Sequence, residues 1–141
     1  MKTLIFIISL ILTASFFSSC VTTKESVQPL TFKTQAHKTL YDLMDARCKA
    51  LSAASMKQLK PLYTENSTEP AWLAKHVFPT LREWPAKYRI SRVENITIVG
   101  EDAVASYRIY TNNNYKSSIR TVDVLYEIEN GAWKIDYVTV R

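Results

Sequence analysis

The sequence predicts an α+β domain in which three N-terminal helices pack on a mostly antiparallel sheet of four strands. Two observations support this fold class. Between residues 34 and 84, apolar residues recur with the 3.6-residue period of an α-helix. After Pro85 the period changes to two, and the chain becomes rich in Val, Ile, Tyr and Thr, which are typical of strands.

The first helix is predicted from an apolar face with a single polar interruption, Arg47. The residues on this face are Ala36, Leu40, Leu43, Met44, Arg47, Leu51 and Ala54. Ser55 and Gln58 have the spacing of a capping box, which predicts that a second helix starts directly after the first. Pro61 removes a backbone donor, so this second helix is expected to be short.

The third helix is predicted to open at Thr68-Glu69-Pro70. Threonine is a favoured N-cap, glutamate suits the positive first turn, and proline fits a position whose backbone donor is not needed. We expect this helix to end or kink near Phe78-Pro79, and Pro85 closes the helical half.

Four strands are predicted at residues 88–99, 103–110, 119–128 and 132–140. Asn130-Gly131 predicts a type I′ hairpin turn between the last two strands. The predicted pairs across this turn are Ile128 with Trp133, Tyr126 with Ile135, Val124 with Tyr137 and, on the opposite face, Glu127 with Lys134. One face is apolar and the other polar, so the sheet should be covered on one side.

The same alternation assigns Arg120 to the covered face. A two-residue turn within the asparagine run at 112–114 keeps the faces of neighbouring strands aligned, which brings Arg120 beside Ala105 or Tyr107. Asp123 then falls on the solvated face. A charge on a covered face needs a partner or a ligand, so Arg120 should either contact a ligand or pair with a helix acid such as Asp42 or Asp45.

The order of three helices and a four-strand meander resembles the NTF2-like superfamily of cone-shaped α+β domains. The residues that carry this resemblance are the helix-to-helix passage at 46–59, Leu62-Tyr63, and the closing segment at 131–138, which contains Trp133-Lys134-Ile135. The resemblance implies a curved sheet that wraps a long helix and leaves a pocket at the open end of the cone. Some members of the superfamily are isomerases, dehydratases or cyclases with an Asp or His in the pocket, and many others only bind small molecules or protein partners.

The candidate ligand-binding residues are Arg120, Tyr107, Tyr126 and Tyr137, because the alternation directs their polar groups to the covered face. No carboxylate falls clearly on that face, so no catalytic residue is predicted. His37 and His76 lack a second ligand at metal spacing, and the chain has only two glycines and no phosphate-binding loop. We therefore predict neither a metal nor a cofactor.

The first twenty residues are typical of a bacterial lipoprotein signal peptide. Lys2 is followed by an uncharged run of about 14 residues, roughly 21 Å long as a helix, which is short for the ~30 Å core of a bilayer. The segment Phe17-Ser18-Ser19-Cys20 resembles a lipobox, with Phe17 in place of the usual leucine. The resemblance implies cleavage after residue 19, diacylglyceryl modification of Cys20, and anchoring to a lipid bilayer.

The remaining chain divides into a tether at residues 20–33 and a domain at residues 34–141. Val21 stands where an aspartate would signal retention in the inner membrane, so the resemblance implies the outer membrane, facing the periplasm. The net charge of +5 is spread along the chain without a basic run with interleaved aromatic residues, which argues against nucleic acid as a partner.

The sequence thus predicts a membrane-anchored, periplasm-facing domain that binds a small apolar or anionic molecule or a protein partner. The protein partner would be another envelope protein or a second copy of the chain. The alternative is a pocket enzyme of the isomerase or dehydratase type with a cavity lined by tyrosine and arginine.

Overall fold

The computed structural model describes residues 30–141, so the predicted signal peptide, Cys20 and most of the tether lie outside the described residues. The helical half contains α1 (Gln35–Ser52), α2 (Met56–Leu59), a 3-10 turn (Lys60–Leu62), α3 (Glu69–His76) and α4 (Phe78–Glu83). The strands are β1 (Ala86–Val99), β2 (Asp102–Asn113), β3 (Ser117–Glu129) and β4 (Ala132–Val140). They form one antiparallel sheet in the order β1-β2-β3-β4, which confirms the predicted α+β class.

The helix boundaries follow from the residues that begin and end each helix. Thr34 caps α1 with its hydroxyl. As predicted, Ser55 caps α2 by accepting from the backbone N–H of Gln58. Pro61 limits α2 to a single turn that continues as a 3-10 turn. The predicted third helix breaks at Val77 into α3 and α4, with Pro79 in the first turn of α4.

Two β-bulges in β1 bend the sheet around α1. The pairing of β1 with β2 shifts between Ile90 and Arg92 and again between Val93 and Asn95. Each extra residue increases the local twist of the strand, so the sheet curves toward its covered face. The buried core lies on that face, between the sheet and α1, and includes Leu40, Met44, Leu59, Phe78, Tyr107, Tyr126 and Ile135.

The β3–β4 hairpin has the predicted register near its turn and a different one further along. Asn130 and Gly131 both have positive φ angles, and Ile128–Trp133, Glu127–Lys134 and Tyr126–Ile135 are opposite one another. Trp133 is half-buried against the core, so the assignment of faces is correct. The predicted pairing of Val124 with Tyr137 is wrong, because a bulge after Ile135 places Tyr137 opposite Leu125 and Val138 opposite Val124.

The two ends of the sheet differ, and we name them by their turns. The closed end carries the β1–β2 turn at residues 99–102 and the β3–β4 turn at residues 129–132. The open end carries the β2–β3 turn at residues 113–117, together with the start of β1 and the end of β4. Asn113 closes the β2–β3 turn by accepting from the backbone N–H groups of Tyr115 and Lys116 with its side chain.

Candidate functional site

A cavity of about 700 Å³ opens at the open end of the sheet, between α1, α3 and the covered face. Its walls are mainly apolar, and they include Leu51, Trp72, Leu73, Val77, Ile109, Val122, Val138 and Val140. The polar part of the lining comprises Arg47, Thr68, Glu69, Tyr88, Thr111, Ser118, Arg120 and Tyr137. A concave apolar site with a few polar groups is the usual form of a small-molecule site.

The innermost polar group of this cavity is an ion pair between α1 and α3. Arg47 Nη2 lies 2.7 Å from Glu69 Oε1, and Arg47 Nε donates to the hydroxyl of Tyr63 at 2.6 Å. The side chains of Arg47 and Glu69 are 9% and 11% exposed, so both charges are nearly removed from water. Such a pair is maintained only when each charge keeps its partner.

The electrostatics of this pair follow from its burial and its neighbours. Burial on its own lowers the pKa of Arg47, but the Tyr63 hydroxyl and the Glu69 carboxylate raise it above its ordinary value, so the guanidinium stays charged. Burial also raises the pKa of Tyr63, and the hydroxyl stays protonated at neutral pH. Within residues 30–141, Glu69 Oε2 is a buried oxygen without a hydrogen-bond partner.

Arg120 lies at the mouth of the cavity. It is on the covered face as predicted, but opposite Ile109 rather than beside Ala105 or Tyr107, because the β2–β3 turn sits at Asn114-Tyr115. The residue is exposed, and the ion pairs found in the described part of the chain do not include it.

The helix acids proposed as structural partners of Arg120 are engaged elsewhere. Asp42 pairs with Lys38 and Asp45 pairs with Lys49, each one helical turn away. The geometry is therefore that of an open cone, in which the guanidinium of Arg120 remains accessible to a molecule in the cavity.

Tyr107 and Tyr126 are not part of the cavity lining. Both are fully buried, their hydroxyl oxygens lie 3.0 Å apart, and the hydroxyl of Tyr126 donates to the backbone oxygen of Leu40. Burial raises the pKa of Tyr107 to about 12 and that of Tyr126 well above its ordinary value. Their contacts are structural and link the sheet to α1.

Tyr137 contributes to the cavity lining, but the prediction that it lies on the covered face is wrong, because it pairs with Leu125 on the opposite face. It is 57% exposed and lies next to Val138, which is buried. Of the four candidate residues, Arg120 lines the cavity from the covered face, Tyr137 borders it from a position on the opposite face, and Tyr107 and Tyr126 are in the core.

Two cavity residues were missed as functional candidates, Arg47 and Glu69. The sequence contained one signal for Arg47, namely a charged residue on an otherwise apolar helix face. Glu69 was assigned to the first turn of the third helix, and nothing in the sequence indicated that this turn faces Arg47, which is 22 residues away.

Cys48, the free cysteine of the described residues, is buried beside Arg47. Burial raises the pKa of its thiol to about 11, so the reactive thiolate is not populated at neutral pH. Among residues 30–141, no group of histidine, cysteine, aspartate and glutamate side chains is arranged to hold a metal ion. Over the same residues, no helix is long and apolar enough to cross a membrane.

Solved structures with the same fold are numerous but distant in sequence. An NTF2-like superfamily protein from Salmonella enterica has a TM-score of 0.61 and 14% identity, with 74% of this chain and 88% of that chain covered. A protein of unknown function with a cystatin-like fold from Nostoc punctiforme has a TM-score of 0.63 and 11% identity, with 76% and 91% covered. An NTF2-like protein of unknown function from Pseudomonas putida has a TM-score of 0.62 and 11% identity, with 78% and 88% covered.

These similarities establish an NTF2-like cone fold for the described residues. At such low identity they show the fold alone. The sequence matches no protein-family profile, and no curated protein aligns with it significantly.

Proposed function

We propose that this protein is a membrane-anchored, ligand-binding domain of the bacterial envelope that faces the periplasm from the outer membrane. The observation that carries the binding function is the cavity of about 700 Å³, with apolar walls and Arg120 accessible at its mouth. A cavity of this size accommodates a molecule of drug-like dimensions.

The polar groups of the cavity favour a particular chemistry for the ligand. The charge of Arg47 is neutralised by Glu69, whereas Arg120 has an uncompensated charge at the mouth. A ligand with an apolar body and one anionic group would place the body among the aliphatic walls and the anion against Arg120, which can hold a carboxylate by two hydrogen bonds.

The proposed ligand site is tested with anilinonaphthalene sulfonate, a fluorescent probe with an aromatic body and one sulfonate. Arg120→Met keeps much of the apolar stem and removes the charge. We expect probe binding to weaken by about ten- to a hundredfold, the range for losing one hydrogen-bonded ionic contact. The matched control is Arg108→Met, an exposed arginine on the opposite face that pairs with Glu94. Equal loss in both variants, or in neither, would contradict the site.

The proposed anchor rests on the lipobox-like segment ending in Cys20 and is tested separately. In a bacterial host, labelled palmitate should be incorporated into the wild type and not into Cys20→Ala. Cys48→Ala is the control, because Cys48 is buried in the core and should leave the label unchanged. Label retained in Cys20→Ala would contradict lipidation at this residue.

A pocket enzyme of the isomerase or dehydratase type is the second candidate, and Glu69 favours it. This carboxylate contributes to an apolar cavity and has one oxygen without a partner, as a general base for proton abstraction would need. The two functions are separated by incubating the protein with a cyclic unsaturated ketone in deuterated water. Deuterium in the positions next to the carbonyl, lost in Glu69→Gln, would identify an enzyme, and unchanged ketone supports binding alone.

A further inference from the structure

The strand ends and turns carry opposite charges at the two ends of the sheet. At the open end, residues 84–90 and 109–121 include Lys87, Arg89, Lys116 and Arg120 and not a single acidic residue. At the closed end, residues 100–103 and 127–134 include Glu101, Asp102, Glu127 and Glu129, with Lys134 as the only basic residue. The pKa of Glu127 is raised mainly by repulsion from Asp136, which agrees with crowding of negative charge there.

The four cations of the open end are all exposed. None of them takes part in the ion pairs of the described chain, and Arg89 instead stacks over the ring of Tyr110, with its guanidinium carbon 4.6 Å from the ring centroid. The charges are therefore available to an external partner. The acidic residue nearest in sequence to these segments is Glu83, which ends α4 next to Trp84.

Aromatic side chains are exposed around the same end. Trp84 is 49% exposed and meets Tyr115 of the β2–β3 turn edge-on, with ring centroids 5.5 Å apart. Tyr115 is 79% exposed. Trp72, which is in the cavity lining, is 56% exposed and stacks near His76. Tryptophan and tyrosine mixed with lysine and arginine are characteristic of surfaces that lie at the interface of a bilayer.

We propose that the open end, formed by Trp72, Trp84, Tyr115, Lys87 and Lys116 around the cavity mouth, docks on the anionic surface of a lipid bilayer. Charge complementarity selects this partner, because Lys87, Arg89, Lys116 and Arg120 are exposed without an acidic partner in the described part of the chain and anionic headgroups attract each lysine or arginine near them. The exposed aromatic rings suit insertion at the depth of the lipid headgroups. An acidic protein surface would account for the cations but not for the exposed rings. In this orientation the cavity faces the membrane, and an apolar ligand would enter it without crossing water. This route for the ligand rests on the proposed ligand site, whereas the docking itself does not.

The experiment measures binding of the soluble fragment 21–141 to lipid vesicles. The fragment retains the whole described core, which runs from Leu40 to Val138, and it lacks Cys20 and therefore any acyl anchor. Two kinds of vesicle are compared, pure phosphatidylcholine and an equal mixture of phosphatidylcholine and phosphatidylglycerol. We expect binding to the anionic vesicles only, and it should weaken as salt is added.

Paired variants locate the contact. Lys87→Gln with Lys116→Gln should weaken binding by about 25-fold, since each lysine near an anionic surface strengthens binding by about fivefold. Lys57→Gln with Lys60→Gln makes the same change in net charge at exposed positions on α2 and the 3-10 turn and should leave binding nearly unchanged. Equal weakening by both pairs would overturn the proposal, as would a wild type that binds neither kind of vesicle.

Tryptophan fluorescence gives a second readout that does not depend on charge. Anionic vesicles should shift the emission of the wild type to the blue, and Trp72→Phe with Trp84→Phe should abolish this shift. Trp133→Phe is the control, because Trp133 lies in the closed-end hairpin. A shift that persists in the double variant and disappears in Trp133→Phe would show that the wrong end had been assigned.

Discussion

Arg47 determines how the polar part of the cavity is built. Its guanidinium joins Tyr63 and Glu69 across two helices, and all three side chains are largely removed from water. Taking a charge out of water is costly, and the pair survives because each partner compensates the other. A buried pair of this kind is tolerated only while both members are present.

Removing one member should therefore be strongly destabilising. We expect Arg47→Met to lower the free energy of unfolding by about 3–5 kcal/mol, because it leaves the Glu69 carboxylate buried without its partner. Lys38→Met breaks the exposed pair with Asp42 and should cost only about 0.2–1 kcal/mol. Urea denaturation measures both. Combining Arg47→Met with Glu69→Gln should recover part of the loss; a double variant as unstable as the sum of the single variants would contradict the coupling.

At the scale of secondary-structure elements, most of the fold was predictable from the sequence. Helical period, proline positions and the Asn130-Gly131 turn are local signals, and they predicted the order of elements and, except at Tyr137, the faces of the sheet. The failures occurred where a single extra residue changes the register. The bulge after Ile135 moved Tyr137, and nothing in the local pattern of β4 distinguishes a bulged residue from a regular one.

Contacts between elements were less accessible to sequence reasoning. Tyr107 and Tyr126 were correctly assigned to the covered face, but their burial in the core was not predicted. There the two hydroxyls bond to each other, and that of Tyr126 also bonds to α1. Alternation gives the side of a sheet on which a residue lies, not its distance from the open end. For the same reason Arg120 was assigned to the correct face and placed beside the wrong neighbour.

The buried hydroxyls of Tyr107 and Tyr126, which link the sheet to α1, predict that the stability of the fold depends on pH. Burial holds the pKa of Tyr107 at about 12, above its ordinary value of 10.0, and raises that of Tyr126 well above its ordinary value. The protonated forms are favoured in the folded state, so the contribution of Tyr107 is complete below pH 10.0 and is lost as the pH rises toward about 12.

Tyr107→Phe with Tyr126→Phe should make this alkaline loss smaller, while the rings keep their packing. The matched control is Tyr115→Phe, an exposed tyrosine that should leave the profile unchanged. Thermal unfolding across pH 8–12 measures the effect. Identical slopes in the wild type and the double variant would contradict the assignment of these hydroxyls.

At the scale of the whole molecule, the cone fold followed from the order of elements, whereas the cavity did not. The cavity lies where the Arg47–Glu69 pair joins α1 to α3, and its lining on the covered face includes Ile109 and Val140. Such a space depends on how helices sit on the sheet, which periodicity cannot specify. The polar pattern of the mouth, in contrast, was anticipated in part through Arg120.

The central claim is that an apolar molecule with one anionic group occupies this cavity. It is tested most directly by methyl NMR spectra of the fragment 21–141 during titration with decanoate, which has an alkyl chain and one carboxylate. We predict saturable shifts at the cavity methyl groups of Ile109, Val122 and Val138. The methyl groups of Val104 and Leu125, paired with each other on the opposite face, should not move. No shifts at the cavity methyl groups, or equal shifts on both faces, would contradict the claim.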